Sequence, residues 1–367
     1  MERNPIQTVA NDVINNPPTS LQDLSTKQSV LKCHRLMSAT HIAGKFMYHV
    51  IGSEESPYSV KVRSYFRFKG LEHQWLERSQ ASELYTQHAK LPLIPLVVTP
   101  DEVGMQDSTP IIEKTEAAVP DPTVYPDDPV ARFMSDLLEE FGDEWGNKWM
   151  FHMRWWKEID AVAVSRRFAE RSGGDIEATA SAIRERMVPR VWFVGGNKVT
   201  APQIAQSLED ALGHLEPHLK SRTYLMGERP AMADFGLWGQ IYNAGRDPTA
   251  GAMVDKNPNV RAWVERMLNP EVRGDFESWE VLAPTLVPLI KDQVANLFLP
   301  WTVANSVAIE NGDDDFTLEL KGNTWTQKPQ KYHARSLGVI RQKYQAVASN
   351  AALNEILDAT ACRQYLA

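Results

Sequence analysis

Residues 56–73 read SPYSVKVRSYFRFKGLEH, and the fold follows from how this stretch starts and stops. Pro57 suits a first helical turn, where its missing N–H would be unpaired anyway. Ser56 sits where an N-cap belongs, with an oxygen that accepts from a first-turn N–H. Val60, Val62, Tyr65, Phe66 and Phe68 supply the apolar positions, and Gly70 closes the helix, as glycine often does just past a helix end. Upstream, Lys45–Ile51 (KFMYHVI) reads as a strand that enters the short loop GSEE at 52–55. Downstream, LEHQWLERS at 71–79 reads as a second strand. Leu93–Thr99 and a short partner at Val103–Gln106 read as a hairpin turning at Pro100-Asp101-Glu102, and a helix begins near Ser108. The order is strand, helix, strand, helix-like segment, strand, strand, helix, which is an α/β block.

The stretch AVPDPTVYPDDP at 118–129 ends that block and is the clearest boundary in the chain. Past this boundary the pattern turns helical. Phe133, Leu137, Phe141, Trp145, Trp149, His152 and Trp156 recur near helical spacing through 129–158. Further amphipathic helices fit Asp175–Arg186, Ala201–Leu219, Met232–Ala244 and Asn259–Leu268. Beyond about 290 an appendage begins. Phe316, Leu318 and Leu320 alternate with polar residues before a Gly322-Asn323 turn into NTWTQ, a hairpin pattern. Helices around Leu337–Val347 and Leu353–Asp358 finish the chain. The expected organisation is a tail at 1–45, an α/β domain at 46–117, a linker at 118–128, a helical domain at 129–290 and an extension at 291–367.

Composition narrows the function. A net charge of −8 argues against broad nucleic-acid binding, which needs a basic face to neutralise phosphates. No apolar run approaches the ~20 residues that cross a bilayer, so no membrane partner is expected. Two cysteines, Cys33 and Cys362, build neither a disulfide framework nor a metal site. The default compartment is cytoplasmic.

The tetrad Ser56-Pro57-Tyr58-Ser59 resembles the start of the active-site helix in thioredoxin-fold proteins, with serine in place of both motif cysteines. The wider segment is similar to the amino-terminal signature of glutathione transferases. Ile94-Pro95 stands where that family keeps a cis-proline. Gln106-Asp107-Ser108-Thr109-Pro110-Ile111 matches its acidic-Ser motif, and GERPAMAD at 227–234 resembles its helix-starting aspartate segment. The likeness covers roughly 46–270. Two departures are Pro110, in place of a small residue, and Ala231, in place of the hydroxyl of a capping box. The resemblance implies a thioredoxin-like α/β domain followed by an all-helical domain, a homodimer, and glutathione as cosubstrate with no metal. It gives Ser56 the thiol-activating role, Tyr58, Ile94, Pro95, Asp107 and Ser108 the glutathione contacts, and a small hydrophobic electrophile as second substrate. Trp145, Trp149 and His152 are the candidate electrophile wall, although an aromatic stripe at helical spacing also serves as core.

A thiol with pKa near ~8.5 is only about 3% thiolate at pH 7. Unpaired N–H groups at a helix amino terminus favour the anion. A serine hydroxyl donating to sulfur adds ~1.5–3 kcal/mol, which lowers the thiol pKa by about one to two units. Serine in place of cysteine excludes a mixed disulfide between glutathione and positions 56 or 59. Conjugation, dehalogenation and isomerisation through a glutathione adduct remain, as does a non-catalytic binding or scaffold role. Ser56 also reads as a plain N-cap, and the two roles are compatible.

Overall fold

The computed structural model describes residues 47–367, so the expected tail, Cys33 and the first residues of the expected strand at 45–51 lie outside the described residues. The α/β block contains β1 (Tyr48–Gly52), α1 (Pro57–Phe68), β2 (His73–Glu77), α2 (Ser82–His88), β3 (Leu96–Val98), β4 (Gly104–Gln106) and α3 (Ser108–Ala118). Its sheet runs β2-β1-β3-β4, with β1 parallel to β2 and the other pairs antiparallel. This is a thioredoxin-like domain. The register positions the site: Ile51 pairs with Leu96, and Leu96 with Gln106. The loop after β1, the residues before β3 and the residue after β4 therefore gather at one end of the sheet.

Helix α1 forms as its sequence dictates. Ser56 is extended at the cap, its side chain accepts from Ser59 N, and Pro57 opens the first turn. Gly70 ends it at φ +63. The helix lies close on β1, since a Cβ at Gly52 would meet Ser59 Cβ at 2.6 Å and the Trp75 ring at 2.9 Å. Only a residue without a side chain fits there.

The helical part contains α4 (Pro129–Glu144), α5 (Gly146–Trp156), α6 (Glu158–Ser172), α7 (Ile176–Met187), α8 (Ala201–Leu219), α9 (Met232–Gly245), α10 (Pro248–Asp255) and α11 (Pro258–Arg266). The apolar pattern of 129–158 is carried by two helices, α4 and α5, parted at Trp145, with α6 starting after Lys157. Helix α9 is buried along nearly its whole length, as its all-round apolar sequence requires. Its Gly239 lets the backbone touch α1, where a Cβ would stand 2.7 Å from Pro57 O.

The chain around and beyond 290 is more helical than the sequence pattern suggests. Helix α12 (Trp279–Leu289) passes into a wide i→i+5 segment, Ile290–Phe298, and then α13 (Leu299–Asn311). Pro284, Pro288 and Pro300 hid this run, because each removes a backbone donor and argues against a helix. The hairpin β5 (Phe316–Leu320) and β6 (Asn323–Gln327) forms as expected. Helix α14 spans Lys331–Val347, starting before Leu337, followed by α15 (Ala351–Ala359) and α16 (Arg363–Leu366). One apolar core runs from Val50 through the helical part to Leu366, so the extension is not a loose appendage. Trp301 and Trp325 from the extension close on Lys148, whose Nζ is 3.6 Å from the Trp301 ring centre. No helix among the described residues is long and apolar enough to cross a membrane.

Candidate active site

Ser56, Ile94-Pro95 and Asp107 share the end of the sheet defined by the register above. The Ile94-Pro95 peptide is cis, as the resemblance implies, and Ile94 lies outside the ladder whose last β1–β3 pair is Ile51 with Leu96. The loop before it is pinned from two sides. Gln106 accepts from Lys90 N and Leu91 N through Oε1 and donates to Leu91 O and Leu93 O through Nε2, at 2.8–2.9 Å. The Tyr85 hydroxyl lies within 2.9 Å of the same two carbonyls. Gln106 is a positioning residue whose role the motif alone did not reveal.

At Ser56 the hydroxyl oxygen accepts from Ser59 N at 3.3 Å. That bond uses a lone pair and leaves the hydroxyl proton free to donate. Capping and donation to a sulfur anion are thus compatible at one oxygen. The neighbouring Tyr58 hydroxyl donates to Asp143 O at 3.0 Å, which turns its ring toward the helical part. Its phenol is pushed well up by burial and by nearby Glu144 and Asp143, so it stays protonated.

Asp107 occupies a left-handed backbone position, φ +74, uncommon for a residue with a side chain. It opens α3 without capping it, so no side chain covers the first-turn N–H groups of Ser108 and Thr109. Burial raises the Asp107 carboxyl, while Lys61 and Arg335 act in the opposite sense. Ser108 is buried, with its hydroxyl 3.5 Å from Asp143 Oδ2.

Beneath these residues lies a buried ionic centre that spans the two domains. Lys61 Nζ is 2.5 Å from Glu139, 2.6 Å from Asp143 and 3.1 Å from Thr109 Oγ1. Burial and the Glu139 charge raise the Asp143 carboxyl, against the pull of Lys61; Glu140 is raised by burial and its acidic neighbours. A second centre surrounds the loop before Ser56. Glu55, with its side chain fully buried, meets Arg171 at 2.9 Å, Arg246 at 3.2 Å, Arg167 at 3.4 Å and Arg154 at 3.8 Å. These are ion-pair distances without well-aligned hydrogen bonds to the carboxylate. Arg154 Nη1 also donates to Glu55 O and Arg246 Nη1 to Glu54 O, at 2.9 and 3.0 Å, which fixes the chain leading into the cap. The sequence signal for both centres was a charge where a core or loop contact belongs: Lys61 on the apolar side of α1, and adjacent Glu54-Glu55 before the cap.

The expected electrophile wall needs correction. Trp145 and Trp149 are 1% and 0% exposed, and both indole N–H groups donate to Ser207 Oγ, at 2.8 and 3.0 Å. They are core, because the helical stripe faces α8 and the extension rather than the sheet end. His152 stacks on Trp156 at 4.9 Å, and both line a separate cavity of about 360 Å³ with Met153, Ala201, Pro202 and Met253. Burial pushes the His152 imidazole down to about 4, so it is neutral at pH 7. No residue of the Ser56 site lines that cavity. Asp234 makes up for the missing Ala231 hydroxyl: it accepts from Ala231 N, Leu225 N and Trp263 Nε1, all at 2.9 Å.

Two family models match the sequence: "Glutathione S-transferase, N-terminal domain" over residues 55–118 and "Glutathione S-transferase, C-terminal domain" over 198–266. No curated protein matches the sequence. Among solved structures, the chain is similar to a glutathione S-transferase from Methylobacterium radiotolerans in complex with glutathione sulfonate, at 19% identity and TM-score 0.35, covering 60% of this chain and 90% of that one. It is similar to beta-etherase LigF from Sphingobium sp. strain SYK-6 at 19% identity and TM-score 0.42, covering 60% and 94%. A Tau class glutathione S-transferase from mango, Mangifera indica, matches at 18% identity and TM-score 0.39, covering 65% and 96%.

Proposed function

Because the chain belongs to the glutathione S-transferase family, we propose that it binds glutathione at the sheet end and that Ser56 donates a hydrogen bond to the thiolate. The observation that carries this reading is the Ser56 hydroxyl: its oxygen caps α1 while its proton stays free, at a helix amino terminus that favours an anion. In the proposal, Ile94 bonds the cysteinyl backbone beside cis-Pro95, the uncovered N–H groups of Ser108 and Thr109 take the γ-glutamyl carboxyl end, and Asp107 faces the ammonium. The arginines around Glu55 keep the sulfur side of the loop positive. The reaction is transfer of the thiolate to a small hydrophobic electrophile, which would lie near Tyr58 rather than against Trp145 and Trp149.

The test is retention on a glutathione column followed by conjugation assays on a panel of electrophiles, with wild type and Ser56→Ala. The proposal expects retention of both and loss of turnover in the variant by about tenfold or more. Retention without wild-type turnover would favour a non-catalytic binding protein, and product analysis separates conjugation from isomerisation and dehalogenation. The homodimer implied by the family belongs to the same proposal and is checked by light scattering.

A further inference from the structure

The first turn of α14, from the extension, lies over Asp107. Tyr332 Oη donates toward both Asp107 carboxylate oxygens, at 3.3 and 3.4 Å, and Arg335 Nη2 stands 3.7 Å from Oδ2. All three distances are long against the ~2.7–2.9 Å of a tight charge-assisted bond. Asp107 therefore has company from the extension but no close partner, and its carboxylate can still accept from a ligand group beside them.

This turn is held firmly from behind. His333 Nδ1 bonds the Glu144 carboxylate, and its ring meets Trp301 edge-on at 4.8 Å. Gln330 N donates to Asn305 Oδ1 at 2.7 Å, and Asn305 Nδ2 donates to Gln330 O at 3.0 Å. Further along α14, Lys343 Nζ is 2.8 Å from Glu113 on α3. Tyr332 and Arg335 are thus presented to the sheet end by a fixed helix rather than by a loop.

The local charge gives them a purpose. Burial, with the Glu144, Asp107 and Asp143 carboxylates nearby, holds the Tyr332 phenol well above its ordinary range, so carboxylates stand close to this position. Acidic walls hold an ammonium but repel a carboxylate, and an α-amino-acid group carries both. Lys61, the nearby cation, is buried and committed to Glu139 and Asp143. The Arg335 side chain is 67% exposed, and Asp107 is its acidic neighbour among the described residues. A planar guanidinium on a long, mobile side chain is suited to a carboxylate.

Resting on the glutathione reading above, we propose that the extension completes the ligand site: Arg335 joins the Ser108 and Thr109 N–H groups on the α-carboxylate of the γ-glutamyl group, and Tyr332 holds Asp107 oriented toward its ammonium. The experiment is calorimetric titration of the full chain with three peptides. They are glutathione, 4-aminobutyryl-cysteinylglycine, which lacks the α-carboxylate, and glutaryl-cysteinylglycine, which lacks the ammonium. Arg335→Ala is expected to weaken glutathione about tenfold or more while leaving the aminobutyryl peptide unchanged, with Arg335→Lys between. Tyr332→Phe is expected to weaken glutathione and spare the glutaryl peptide. Both positions are on the solvent side of α14, and unchanged thermal melting will show that the variants fold. Equal losses for all three peptides, or glutathione binding as tight as or tighter than wild type in Arg335→Ala, would overturn the inference; tighter binding would mean that α14 competes with the ligand for Asp107. Wild type that binds none of the peptides would remove the glutathione reading and this inference with it.

Discussion

Glu55 and Lys61 stand on either side of the Ser56 cap, each buried, and their surroundings are opposite in sign. Glu55 is one carboxylate among four arginines, with Asp247 sharing Arg154 and Arg167. Lys61 is one ammonium against Glu139 and Asp143, with Glu140, Glu144 and Asp107 nearby. The two centres answer burial differently. Arginine cannot lose its proton, so the Glu55 side stays charged. Carboxyls can take protons, and Asp143, Glu140 and Asp107 are all shifted up. The loop side of Ser56 is accordingly positive and rigidly so, and the Asp107 side is acidic and adjustable. A sulfur anion belongs on the first side and an ammonium on the second.

The largest expected effect comes from breaking the rigid side. Glu55→Gln leaves the arginines mutually exposed, and removal of one partner from a buried pair costs about 3–5 kcal/mol. Urea denaturation should report that loss equally at pH 6 and pH 8. A loss below about 1 kcal/mol would mean that the cluster is effectively solvated.

Lys61→Met is expected to cost less, because Glu139 and Asp143 can pick up protons once the cation is gone. Their folded-state pKa would then lie above the unfolded value, so the folded form binds more protons and stability falls as pH rises through that window. Unfolding of Lys61→Met should therefore be milder at pH 5 than at pH 8. A pH-independent loss, like that of Glu55→Gln, would erase the distinction between the two centres.

Glu54 sharpens the comparison at acid pH. Burial opposes ionisation, but bonds from Arg63 and Tyr242, with the Arg63 and Arg246 charges, hold its carboxyl at about 2. A depressed carboxyl contributes stability above its unfolded pKa and loses it as pH falls toward the folded one. Glu54→Gln should melt below wild type at pH 6, and the gap should close as pH drops from about 4.5 toward 2. A gap as wide at pH 2 as at pH 6 would point to packing rather than charge.

Much of this was legible in residues 56–73, because cap, first-turn proline, apolar positions and closing glycine all agreed on one helix. The sheet end could be assembled from motif order, and the cis peptide and the left-handed Asp107 both fall at motif positions. Trp145 and Trp149 misled, since spacing shows that residues share a face but not which neighbour that face meets. The prolines of 284–300 disguised a helix run that tertiary packing supports anyway. Tyr332 and Arg335 carry no local signal at all. Their place beside Asp107 depends on how α13 and α14 return across the core, a contact between residues far apart in the chain.

The thiolate account stands or falls at Ser56. Its most direct measurement is the ultraviolet absorbance of bound glutathione thiolate, titrated against pH in wild type and Ser56→Ala. The wild-type complex should titrate about one to two units below the ~8.5 of a free thiol. The variant, less stable by about 1 kcal/mol through its lost cap, should titrate close to the free value. Identical titration curves for the two proteins would contradict the role assigned to this hydroxyl.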